Sequence, residues 1–109
     1  MRVWLDDLRD PTDPEIKAKY GSDGTEVWIK TAGEAIDLLR SGSVVSISLD
    51  NDLGEGQPEG RTVAEWIEMS AFHGTLPRMD VWVHSDNTVA ASWMRRAVEN
   101  AHKFWRRRP

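Results

Sequence analysis

Apolar residues along this chain come in two rhythms. Short, nearly unbroken apolar runs at residues 2–5, 26–30, 44–49 and 79–84 predict strands. Longer stretches repeat at helical spacing. Residues 31–40 place Ala35, Ile36, Leu38 and Leu39 on one side, and residues 62–72 do the same with Val63, Trp66, Ile67 and Ser70. From residue 88 to about 106, Val89, Trp93, Ala97, Ala101 and Trp105 form one stripe. Thr31 with Glu34, and Thr62 with Glu65, fit capping boxes that start two of these helices. Asn87 fits the cap of the third. The first connection is polar, with Pro11, Pro14, Gly21 and Gly24, and has room for a short helical turn around residues 15–19.

Strands that alternate with helices predict right-handed βαβ units and a parallel sheet. The expected fold is a small three-layer α/β domain over residues 1–109. It has about four parallel strands in order 2-1-3-4, helices on both faces and a long C-terminal helix. Strands covered on both faces should be apolar throughout. Three of the four repeat Val-Trp-aliphatic: Val3-Trp4-Leu5, Val27-Trp28-Ile29 and Val81-Trp82-Val83. The fourth reads Ile47-Ser48-Leu49.

That repeat sets a register. Aligning Leu5, Ile29, Leu49 and Val83 puts Trp4, Trp28, Ser48 and Trp82 in the row before. The small Ser48 among indoles suits a closed core, which is where Trp82 and the helical Trp93 are expected. The row after holds Asp6, Lys30, Asp50 and His84, followed by Asp7, Thr31, Asn51 and Ser85. Polar residues thus gather at the carboxyl ends of the strands, where open parallel sheets bind ligands at the reversal of strand order.

Carboxylates that converge repel unless a cation or proton intervenes. Asp6, Asp7, Asp50 and Asp52 offer oxygen donors suited to Mg²⁺ or Mn²⁺. His84 can pass a proton to a leaving alkoxide. Asp50, His84 and Asp7 form the expected catalytic group. Lys30, Asn51, Arg61, Ser85 and Asn87 are the expected phosphate or substrate contacts, although Ser85 and Asn87 equally suit capping and Arg61 an exposed surface. Trp82 and Trp93 offer stacking faces for a base if they are not in the core.

Composition narrows the classes. A length of 109 residues, 39% hydrophobic and 29% charged, fits one globular domain. The net charge of −4 argues against general nucleic-acid binding, although Arg95, Arg96, Lys103, Arg106, Arg107 and Arg108 make the C-terminal segment basic. No run reaches the roughly 20 apolar residues of a membrane span. The absence of cysteine and of a signal-peptide pattern leads to an expected cytoplasmic location.

The motifs "LDDLRDP", "SLDNDLG" and "VHSDN" resemble those of response-regulator receiver domains. They are more closely similar to a receiver-like family, the cyclic-phosphate processing receiver domain, over nearly the whole chain. In ordinary receivers the aspartate matching Asp50 accepts a phosphoryl group. Asp6 and Asp7 match the Mg²⁺ pair, and Ser85 the conserved hydroxyl. The receiver lysine that follows a fifth strand has no counterpart in these residues, and Asn51 stands where the cyclic-phosphate family commonly has histidine. The resemblance implies a metal-dependent phosphoesterase. Its substrate would be a cyclic nucleotide, a cyclic oligonucleotide signal or a 2′,3′-cyclic phosphate. Water activated by the metal, or Asp50 itself, would attack. The alternatives are a binding module for a cyclic nucleotide or protein that performs no chemistry, and a degenerate receiver phosphorylated on Asp50.

Overall fold

The computed structural model describes residues 1–107; Arg108, counted above in the basic C-terminal cluster, lies outside them. The elements run β1 (Arg2–Leu5), α1 (Pro14–Tyr20), β2 (Val27–Ile29), α2 (Ala32–Arg40), β3 (Ser46–Leu49), α3 (Gly60–His73), β4 (Asp80–Val83) and α4 (Thr88–Arg106). All strand pairs are parallel and the order is β2-β1-β3-β4. The tryptophan register holds: Trp4 pairs with Trp28 and Ser48, and Ser48 with Trp82. Among the described residues, no helix is long and apolar enough to cross a membrane.

The core lies on one face of the sheet. Val3, Leu5, Ile47, Leu49 and Val81 point into it and meet Leu39, Ile67, Met94 and Ala97 from α2, α3 and α4. Burying each larger aliphatic side chain contributes roughly 1.5–3 kcal/mol before entropic costs. The opposite face carries the tryptophan row. There the polar connection containing α1 arrives, and Tyr20 meets His84 edge-on at 6.2 Å.

Four expectations are corrected by this packing. The tryptophan row does not close a second core: Trp4 is buried, but Trp82 is 62% exposed, with Asp80 and Arg2 exposed on the same side. The physical reason is that α4 packs beside α3 on the other face, so no long helix covers β4 here. Trp93 is likewise 53% exposed rather than in the core, and Val89 is exposed with it. The buried stripe of α4 is instead Ala90, Ala91, Met94, Ala97, Val98, Ala101 and Trp105. Small residues there admit close approach to α3, which the largest side chains would block.

Capping differs in two places. The Thr31 hydroxyl accepts from the Glu34 amide, but the Glu34 carboxylate returns to that hydroxyl and completes no reciprocal box. Helix α3 begins at Gly60, ahead of the expected Thr62 box, and its leading Glu59 makes no side-chain cap. Asn51, from the end of β3, does that work: its carbonyl accepts from the Gly60 amide at 2.8 Å and its side-chain oxygen from the Arg61 amide at 3.1 Å. A tertiary contact thus satisfies donors that a local motif was expected to satisfy. Asn87 caps α4 as expected, accepting from the Ala90 amide.

Candidate active site at the strand ends

The sheet ladder continues one residue beyond the strands. Asp6 donates its amide to the Ile29 carbonyl at 3.1 Å, Asp50 to Leu5 at 3.0 Å and His84 to Leu49 at 3.0 Å. These three backbone bonds hold Asp6, Asp50 and His84 in the aligned row the register implied. All three are buried, and one ligand-type atom from each lies within 4.8 Å of the others. Two adjacent carboxylates in a strand face opposite ways, so Asp6 joins this row while Asp7 does not. Asp7 points its carboxylate toward Gly54.

Each side chain in the row is fixed by named partners. One oxygen of Asp6 accepts from the amides of Leu8 and Arg9, both at 2.9 Å. The other faces His84 Nε2 at 3.1 Å and Arg9 Nη1 at 3.1 Å. Asp50 accepts from the Asn51 amide at 2.9 Å and lies 3.4 Å from Arg9 Nη1. His84 stacks on Trp4 with ring centroids 3.8 Å apart, and its Nδ1 lies 2.7 Å from the Ser48 hydroxyl. Because Asp6 is an ionised acceptor, Nε2 of His84 carries hydrogen in this arrangement.

The two carboxyls diverge. Burial opposes ionisation of Asp6, but His84, the Arg9 and Leu8 amides and the Arg9 side chain outweigh it and hold the carboxyl at about 2. For Asp50, burial and the negative charge of Asp6 outweigh the Asn51 amide and Arg9, pushing it up to about 6. Two carboxylates pushed apart in this way are a frequent mark of functional sites.

The pH dependence of stability follows from these shifts. An unfolded aspartate titrates near 3.9. Asp50 therefore holds its proton longer in the fold, and its contribution falls as pH rises from about 4 to about 6, by roughly 3 kcal/mol. Asp6 acts oppositely: its contribution is present above about 4 and is lost as pH falls toward about 2. Carbon-detected NMR titration should find one buried aspartate midpoint near 6 and one near 2. Two midpoints at ordinary values would contradict the arrangement.

Other expected residues lie around this row. Asp52 is exposed and accepts from the Asn51 side chain at 3.3 Å. Buried Asn51 spends its amide on Asp52, Glu59 and the start of α3. Arg61 turns away toward α4, pairing with Glu65 at 2.9 Å and lying 4.5 Å over Trp93. Lys30 is exposed and lies 4.5 Å over Trp28. Ser85 accepts from the Asn87 amide, and Asn87 caps α4.

Sequence reasoning missed Arg9. Its guanidinium bridges Asp6 and Asp50, pairs with Asp86 at 2.7 Å and lies 4.3 Å over the Tyr20 ring, whose hydroxyl also donates to Asp86. The sign of charge was a usable clue, since Arg9 is the cation inside "LDDLRDP". Ser48 was read only as a small packing residue, and its bond to His84 becomes visible only across the β3–β4 pair.

A family model described as cyclic-phosphate processing receiver domain matches residues 1–100 of this chain. No curated protein and no solved structure gives a significant match.

Proposed function

Because the chain belongs to the cyclic-phosphate processing receiver domain family, we propose that it is a metal-dependent phosphoesterase that opens a cyclic phosphate. The observation that carries this reading is the buried row of Asp6, Asp50 and His84 at the switch point of the sheet. The donor set suits a divalent cation such as Mg²⁺ or Mn²⁺. Asp50 is held up near 6 by burial and by the charge of Asp6, and a cation would relieve that unfavourable state. Asp6 and Asp50 would hold it. When bound, it would polarise the phosphorus centre and lower the pKa of water.

The remaining roles belong to the chain itself. Ring opening forms one P–O bond to water oxygen and breaks the P–O bond to the sugar; the water gives up one proton and the sugar alkoxide takes one up. His84 holds hydrogen at Nε2 and is oriented from both sides, by Ser48 and by Trp4. It is the proposed donor. Arg9 supplies positive charge that draws an anionic phosphate to an otherwise acidic strand end.

The test is incubation of the protein with a panel of 3′,5′- and 2′,3′-cyclic nucleotides and either Mg²⁺ or Mn²⁺, followed by chromatography. Ring-opened monophosphate should form with metal and stop on chelation. Absence of product from the whole panel would overturn hydrolysis. A second reading, capture without chemistry, is favoured by Arg9, which already provides a cation between the carboxylates. Calorimetric binding with no product would support it.

A further inference from the structure

The tryptophan face contains a groove of about 370 Å³ that shares His84 with the acidic row. Tyr20 and Trp82 supply aromatic surface, and Trp4, Ser46 and Ser48 also line it. We propose that this groove is the subsite for the nucleobase of the substrate, with Trp82 the stacking wall that sets preference for nucleotides over base-free cyclic phosphates.

Four observations converge on a flat aromatic occupant. First, Trp82 is 62% exposed on β4, although its row partner Trp4 is buried. An indole left in water beside a groove offers a face on which a base can stack. Second, among the described residues the Trp82 indole N–H has no hydrogen-bond partner, whereas the indoles of Trp4, Trp28 and Trp105 donate to the carbonyls of Arg9, Asp6 and Leu76. Those three are tied into the fold by their N–H groups, and Trp82 is used differently. Third, the volume suits a base with part of its sugar and is too small for a folded partner. Fourth, His84 connects the two regions: it lines the groove, and its Nε2 lies 3.1 Å from Asp6. A base in the groove therefore puts the attached phosphate toward the row Asp6, Asp50 and His84. Ser46 offers a hydroxyl for the base edge or the sugar.

This inference rests on the proposed phosphoesterase reading for the reaction, but the groove can be tested without turnover. The Trp82→Ala variant should fold normally, because the side chain is mostly in solvent. In steady-state assays its KM for a cyclic nucleotide should rise about tenfold, the loss typical of one stacking contact, with kcat nearly unchanged. Its KM for ribose 2′,3′-cyclic phosphate, which lacks a base, should not move. Equal effects on both substrates would overturn the subsite. In parallel, adenosine and cytidine, which carry no phosphate, are titrated against the wild-type protein by NMR. Shifts at the Trp82 indole would uphold the groove even if no cyclic phosphate is hydrolysed, in which case the phosphoesterase reading alone fails. No shift with either nucleoside, together with an unchanged KM in the variant, overturns the groove and leaves the reaction reading standing.

Discussion

Asp50→Asn should strengthen the fold and, on the proposed phosphoesterase reading, sharply lower turnover. The variant keeps an oxygen for the Asn51 amide but removes a negative charge that burial and Asp6 both disfavour. At pH 7.5, where wild-type Asp50 is ionised, unfolding by urea should show a gain of about 1–3 kcal/mol. At pH 4 the wild-type carboxyl already holds its proton in the fold, so the gain should nearly vanish. This pH dependence separates relief of charge from a general packing effect. Turnover of the cyclic substrate should fall by at least about 10²-fold, as when a group that stabilises developing charge is lost. A variant that hydrolyses at the wild-type rate would remove Asp50 from the site. One that is destabilised at pH 7.5 would contradict the electrostatic account.

Gly60→Ala should be among the most damaging single changes to stability. A methyl group on Gly60 would overlap the Asp50 carbonyl oxygen and lie 2.8 Å from the carbonyl carbon and 3.1 Å from the Asn51 Cα. Those are backbone atoms at the end of β3 and have no rotamer by which to move aside. The start of α3 must then separate from the strand end, breaking the Gly60–Asn51 bond. A loss of about 3 kcal/mol or more is expected. Turnover should fall as well, because Asp50 belongs to the displaced backbone. The control is Gly33→Ala in α2, where an added methyl meets nothing within 4 Å. That change should be neutral or should stabilise by about 0.5–1 kcal/mol through the helix preference of alanine. Comparable urea midpoints for the two variants would refute the close-approach argument.

Gly60 also shows why a local motif was the wrong guide to α3. The Thr62–Glu65 spacing satisfies a capping rule within four residues, yet the helix starts two residues earlier. The strand end lies close enough for Asn51 to meet the first amides directly. Asn51 is therefore a brace between β3 and α3, and its buried amide is committed there. In this chain Asn51 thus ties the end of β3 to the start of α3.

The strand order was implied only by the family resemblance; what the sequence by itself determined was the alternation of strands and helices, the register and the row containing Asp6, Asp50 and His84. Each of these depends on periodicity and on the repeated Val-Trp-aliphatic triplet, which are properties of neighbouring residues and survive translation into space. Tertiary structure decided the rest. It brought Arg9 from a loop into the space between two carboxylates, and it gave Ser48 a histidine to bind. It also turned Trp82 outward by placing α4 on the opposite face from the tryptophan row. No spacing rule carries such information, because a long side chain on a loop can reach several partners. Which one it meets depends on where distant backbone segments come to rest.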